Sequence, residues 1–273
     1  MYRIVSKREL TPNVKVLEVQ APAVANKAEP GQFVIIRFKE TGERIPMTIA
    51  GTDPEAGTVT IYFAEVGRSS TELGMLDEGD ELLNFAGPLG NAAEIKKYGT
   101  VLCVAGGVFT GAMLYQIEAL KKAGNRVVAV FGFRNKDHVM LEEEVKATAD
   151  DAYICTDDRS YGYEGMGLVD ELLENEEFDI VFTIGPTSLQ KNLSEKTKPY
   201  GIPTRVNLFP IMVDGMGMCG ACRVTVAGDT RFSCVDGPEF DGHQVDFDEL
   251  IMRMRVYNPQ EKIAMVVHNR EEE

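Results

Sequence analysis

Near the end of the chain, the stretch "DGMGMCGACRV" (Asp214 to Val224) sets two residues between Cys219 and Cys222, and Cys234 follows after eleven intervening residues. Thiolates spaced C-x4-C-x2-C…C hold a plant-type [2Fe–2S] cluster. The C-x2-C pair and a distant cysteine are present here, but counting four intervening residues back from Cys219 leads to Asp214. A carboxylate is a harder but competent iron ligand, so the predicted metal-ligating set is Asp214, Cys219, Cys222 and Cys234. Glycines at 215, 217 and 220 suit a loop that turns tightly around inorganic sulfides. Three other readings compete: a zinc site of three Cys and one Asp, a dithiol redox pair that leaves Cys234 unexplained, and structural thiols without metal. Cys103 and Cys155 lie within apolar strands and read as core residues.

A second group of residues could hold phosphate. "VAGGVFTGAM" ends a predicted strand and opens a helix. Gly106 and Gly107 allow the backbone to approach a pyrophosphate, and Val108, Phe109 and Thr110 lead into N–H donors at the helix start. The plainer alternative is a tight turn that binds nothing. Other predicted strand ends fall at the same sheet edge: Gly132 and Arg134 in "FGFRNKD", Asp157 closing "AYICTD", and Gly185 and Pro186 in "TIGPTS". Open parallel sheets bind ligands at that edge. Arg134 and Lys136 could meet a 2′-phosphate. Earlier, "GERIPMTIAG" puts Arg44 just before an apolar strand carrying Pro46, Met47 and Thr48. "EVGRSSTELG" offers Gly67, then Ser69, Ser70 and Thr71 opening a short helix, a pattern for an anion site. The plain readings are a helix cap and a surface arginine.

Positioning these residues requires three kinds of element. Up to about residue 97 the chain reads as six short strands with Gly, Pro and Asp between them, which predicts a small antiparallel barrel. Residues 98–209 alternate β-branched runs with helices, which predicts a five-stranded parallel, doubly wound α/β domain. Residues 210–273 predict a hairpin, "CRVTVAGDTRFSC", and one helix in "VDFDELIMRMRVYNP" that stops before Pro259. So short a segment needs a metal staple. The closing "REEE" reads as a frayed tail.

Composition excludes several classes. A formal charge of −15 argues against nucleic-acid and anionic-membrane surfaces. No apolar run approaches the ~20 residues of a membrane helix, and "MYRIVSKREL" has no signal-peptide core. Five cysteines, an odd number, fit a reducing cytoplasm. His138, His243 and His268 are scattered and read as structural.

A six-stranded barrel followed by a five-stranded nucleotide domain resembles the ferredoxin-reductase family of flavoenzymes. That resemblance implies FAD on the barrel and NAD(P) on the parallel domain. The family's R-x-Y-[ST] motif implies Arg44 on the flavin diphosphate and Thr48, as the catalytic hydroxyl, near flavin N5. Here Met47 replaces the motif's aromatic residue, and Arg44 stands one residue farther upstream. Tyr62 or Phe63 on the next strand could supply a ring. The order barrel, nucleotide domain, cluster segment is similar to the electron-transfer subunits of NAD-dependent dihydroorotate dehydrogenases. The aspartate, with "CVDGPEFDGHQVDFDEL", looks more like their sister group. That group is the small subunits of bifurcating NADH-dependent reduced ferredoxin:NADP oxidoreductases, also described as sulfide dehydrogenase subunits. The resemblance implies hydride exchange between NAD(H) and FAD, a [2Fe–2S] relay, and a larger flavin and iron–sulfur partner in a cytoplasmic heterodimer. A zinc-stabilised nucleotide-binding regulator is the reading from another class.

Overall fold

The computed structural model describes residues 1–165 and 167–271; the last two residues of "REEE" lie outside it. The first unit is built from β1 (Tyr2–Thr11), β2 (Val14–Gln20), β3 (Phe33–Arg37), β4 (Ile45–Asp53), β5 (Thr58–Ala64), β6 (Glu81–Leu82) and β7 (Asn84–Leu89), with short helices α1 (Pro22–Ala25) and α2 (Arg68–Gly74). The strands run in the order β6-β1-β2-β5-β4-β3-β7. β6 and β7 are successive pieces of the sixth predicted strand, interrupted at Leu83, so one piece pairs with β1 and the other with β3. That break nearly closes the barrel. Alternation along the strands sends Ile4, Leu17, Val34, Met47, Ile49, Ile61 and Phe63 into its interior.

The second unit holds β8 (Thr100–Gly106), α3 (Thr110–Lys122), β9 (Arg126–Phe133), α4 (Glu142–Thr148), β10 (Asp151–Thr156), β11 (Tyr163–Glu164), α5 (Gly167–Asn175), β12 (Ile180–Ile184), α6 (Thr187–Thr197) and β13 (Thr204–Asn207). Strands β10-β9-β8-β12-β13 form the parallel core. Their side chains are buried on both faces, one layer around Val101, Phe131 and Phe182 and the other around Leu102, Val128 and Val181. Gly124, at φ +85°, ends α3 as the sequence predicts. The predicted helix around "DHVMLEEEVK" resolves into one 3-10 turn at Lys136–His138 and α4.

The C-terminal segment departs most from the sequence reading. Its elements are β14 (Arg223–Val226), β15 (Asp229–Phe232), α7 (Ser233–Asp236), β16 (Glu239–Asp241), α8 (Phe247–Met254) and α9 (Asn258–Glu271). The hairpin β14–β15 turns on Ala227 and Gly228, both at positive φ. The single predicted tail helix is two helices. Proline lacks only an N–H that the first helical turn leaves unbonded anyway, so Pro259 starts α9 and stops nothing. β16 pairs antiparallel with β13 and widens the five-stranded sheet, with the two-residue β11 at its other edge. The segment has no separate core. Val224, Phe240, Phe247 and Leu250 pack on Val206 and Leu208 of the α/β unit, while Met212, Cys222 and Cys234 pack on Phe33 and Ile35 of the barrel.

Candidate functional site

The cluster-loop donors stand in two pairs. Cys222 Sγ lies 3.1 Å from Cys234 Sγ, both buried. Asp214 accepts from Met216 N–H (2.8 Å) and Cys219 N–H (2.7 Å), which folds the 214–219 loop about its carboxylate. The Met216 N–H leads the bonds that hold this carboxyl below the usual carboxylate range. Burial, with the Cys222 thiol beside it, pushes the Cys234 thiol up to about 12. Further N–H groups point at sulfur: Ala221 at Cys219 and Cys234 at Cys222, each at 3.5 Å. Gly215, Gly217 and Gly220 all take positive φ, the left-handed turns that wrap the loop. Among the described residues no three His, Cys, Asp or Glu side chains converge as around a single ion. Paired donors with N–H groups aimed at sulfur fit a two-iron cluster, which takes two protein ligands per iron.

The barrel candidates divide. Pro46 and Thr48 lie on β4, paired with Ile35 and Phe33 of β3, and Thr48 is half-buried. Met47 and Phe63 point into the barrel core. Strand alternation therefore withdraws the Phe63 ring from contact with any ligand outside the barrel. Tyr62 faces the α/β unit, where Gly111 of α3 leaves room for its ring: a Cβ there would sit 2.5 Å from Tyr62 Cε2. Arg44 immediately precedes β4. It donates from Nε to Val213 O (2.8 Å) and from Nη2 to Asp214 O (3.5 Å). The α2 start is largely self-satisfied, as the capping reading expects. Ser70 Oγ accepts from the N–H groups of Val66 and Gly67 at 3.0 Å, the Thr71 N–H bonds Gly67 O at 2.9 Å, and the Ser69 hydroxyl donates to Glu43.

The nucleotide candidates gather at the C-terminal edge of the parallel sheet. Gly106 and Gly132 are paired in register, and Gly185 approaches Gly106 so closely that a Cβ would lie 3.3 Å from the Gly106 nitrogen. A Cβ on Gly106 would in turn meet Pro186 at 3.2 Å. Gly107, at φ +55°, begins a 3-10 turn through Phe109, and the Thr110 hydroxyl closes it on Gly107 O at 2.7 Å. A cavity of about 140 Å³ between the units is lined by Gly107, Val108, Arg134, His138 and Val14. A larger one of about 460 Å³ lies beyond β10, among Asp157, Tyr163, Glu164, Gly165 and Glu171.

Phe109, a candidate from the sequence, and several residues without a sequence signal tie these sites together. The Phe109 and Phe209 rings stack at 5.6 Å, joining the 106–110 loop to the residue that precedes the cluster segment. Gln190 donates to Gly185 O (2.8 Å) and Asn207 O (2.9 Å) beneath the sheet edge. Asn91 bonds the backbone just after Cys234. Polar residues such as Gln190 on α6 and Asn91 after β7 are too common for their spacing to mark them.

A flavin-type barrel, a nucleotide-type parallel sheet and an iron–sulfur loop in one chain define a ferredoxin-reductase-like electron-transfer protein. Residues 210–246 match the iron–sulfur cluster binding domain of dihydroorotate dehydrogenase B. A Thermotoga maritima protein described as a dihydroorotate dehydrogenase B (NAD(+)) electron transfer subunit homolog is 46% identical, covering 96% of this chain and 93% of its own length. The Clostridium perfringens dihydroorotate dehydrogenase B (NAD(+)) electron transfer subunit is 31% identical, covering 81% and 88%. A chain in the solved structure of the NADH-dependent reduced ferredoxin-NADP oxidoreductase superposes with a TM-score of 0.94 at 43% identity, covering 98% of both chains. The chain belongs to the family of dihydroorotate dehydrogenase B electron-transfer subunits and their homologues.

Proposed function

We propose that this chain is the NAD(H)-linked electron-transfer subunit of a complex like the NADH-dependent reduced ferredoxin-NADP oxidoreductase. The cluster loop carries the reading, since its paired donors are pressed against the barrel that would hold flavin. Asp214, Cys219, Cys222 and Cys234 are the ligands for [2Fe–2S], residues 210–273 being the cluster segment. Bound together, FAD and the cluster convert a two-electron hydride exchange into single-electron transfers. The chain's own residues bind and orient. Thr48 offers a hydroxyl to the flavin from the barrel face (residues 1–97), and Pro46 shapes the same strand. The N–H groups of residues 107–109 meet the dinucleotide pyrophosphate on the α/β unit (98–209).

Asp157, with Glu164 and Glu171 around the larger cavity, suits a ribose with free hydroxyls and repels a 2′-phosphate, so NAD(H) is the nucleotide. Arg134 lines the other cavity and does not offset these carboxylates. Exposed Val213, Met216, Met218 and Val235 surround the donors and form an apolar surface for the larger flavin and iron–sulfur subunit. No helix of the described residues is long and apolar enough to cross a membrane, and a reducing cytoplasm suits the free thiols. The second reading, an electron-transfer subunit of dihydroorotate dehydrogenase itself, rests on the names of relatives: a homolog so described at 46% identity and subunits so named at about 31%.

Flavin and iron analysis of the purified chain tests the proposal. It should contain FAD and two irons, reduce a dye with NADH in preference to NADPH, and complete no ferredoxin-linked turnover alone. A colourless protein overturns it, and the co-purifying partner separates the two readings.

A further inference from the structure

The two backbone stretches that carry the first and last cluster donors are both held by barrel-side residues. Arg44, the residue before β4, spends its fork on the carbonyls of Val213 and Asp214, at 2.8 and 3.5 Å. Asn91, just beyond β7, donates its backbone N–H to Gly237 O at 2.7 Å and its side-chain amide to Val235 O at 3.2 Å. Between these points the loop lies directly on the strands. A Cβ on Gly215 would sit 2.8 Å from both Ile35 Cγ1 and Leu89 Cδ1, and Cys222 and Cys234 pack with Phe33 and Ile35. Next to Asn91, Gly90 at φ +74° leaves space for Pro238, which a Cβ would approach to 2.8 Å.

We propose that Arg44 and Asn91 are positioning residues that clamp the two ends of the cluster-ligand loop to the barrel. The surface that holds flavin would thereby also set the geometry of the cluster. The inference rests on the electron-transfer reading above and reassigns Arg44 within it. Arg44 stands just before β4, outside the paired strand, and its guanidinium is turned to the 213–214 carbonyls and not to the diphosphate position that the flavin motif implies. A planar guanidinium presents a fixed fork of donors to two adjacent carbonyls, where an ammonium offers only a flexible point charge. It also brings positive charge beside the oxygen-donor end of the ligand set. Partners that orient metal ligands are commonly worth 10–100-fold in metal retention.

The test uses the full chain carrying its cofactors, with Arg44→Ala, Arg44→Lys and Asn91→Ala. FAD content, the electron paramagnetic resonance of the dithionite-reduced cluster, and the rate of bleaching by a chelator are measured. Arg44→Ala should keep its FAD, shift the g-values and bleach about tenfold faster. Arg44→Lys should recover part of both changes, and Asn91→Ala should show smaller changes of the same kind. Arg44→Ala that loses FAD but leaves the cluster signal and bleaching rate at wild type returns Arg44 to the flavin and overturns the clamp. So does Asn91→Ala together with Arg44→Lys giving wild-type cluster spectra and rates. A wild-type chain with no cluster at all instead overturns the electron-transfer reading beneath it.

Discussion

The α/β unit and the cluster segment organise their interiors in opposite ways. The α/β sheet buries two apolar layers of its own, with Phe131, Phe182 and Val181 all at 1% exposure or less. The segment after residue 210 has no private interior and completes itself on Val206 and Leu208 on one side and on Phe33 and Ile35 on the other. Chemistry and autonomy are therefore separated: the part with the most reactive residues depends most on its neighbours. A redox carrier gains from this, because a loop fixed to two other units keeps its distance from both.

Five substitutions test that contrast. The largest effect is expected from Cys222→Ser, which should abolish the iron absorption and the paramagnetic signal while FAD remains on the barrel. Retention of two irons would break the ligand assignment. Next, Phe131→Ala should cost about 3–5 kcal/mol and release cluster iron at a lower temperature, because the segment leans on the sheet. Phe240→Ala should release iron early but leave the melting of the sheet nearly unchanged. Calorimetry with iron release followed in parallel distinguishes the two. Equal effects of both variants on both transitions would show one cooperative unit instead.

A smaller effect is expected at Glu239 on β16, half-buried beside Gln116 (3.3 Å) with Arg205 and Glu94 near it. Burial pushes its carboxyl up to about 7 from an ordinary value of 4.5. The folded chain therefore holds a proton that the unfolded chain releases, and this contribution to stability is present at low pH and lost between 4.5 and about 7. Glu239→Gln should remove that slope and gain at most roughly 3 kcal/mol at pH 8, read by denaturant titration across pH. Identical pH profiles for variant and parent would contradict the assignment. Smallest, Gly215→Ala meets a positive φ and a close approach to Ile35 and Leu89. It should cost about 1–3 kcal/mol, seen chiefly as a lower iron content on reconstitution.

Much of this architecture is readable from residue patterns because its signals are periodic. "VKVLEVQ" coincides with β2, and the β-branched runs mark the parallel strands, since burial on two faces leaves little room for polar residues. The cysteine spacing falls within residues 210–246, the stretch that matches an iron–sulfur cluster binding domain, so that region is legible from its cysteines. Other features depend on tertiary partners. "EFD" is too short and polar to look like a strand, and becomes β16 only because β13 offers an open edge. Arg44 declares its charge in the sequence but not its acceptors, which lie 169 residues away at Val213. Pro259 permits both an end and a beginning, and only the turn before it decides. Phe63 and Tyr62 are adjacent rings whose opposite fates follow from which strand face meets the core.

β16 has one more effect, on solubility. Without it, β13 would end the sheet with a row of unpaired N–H and C=O groups, a template on which another chain could add a strand. By zipping onto Arg205, Val206 and Asn207, the segment that bears the redox donors also seals that edge. A chain ending before residue 210 would therefore be expected to self-associate through β13, whatever its cofactor content.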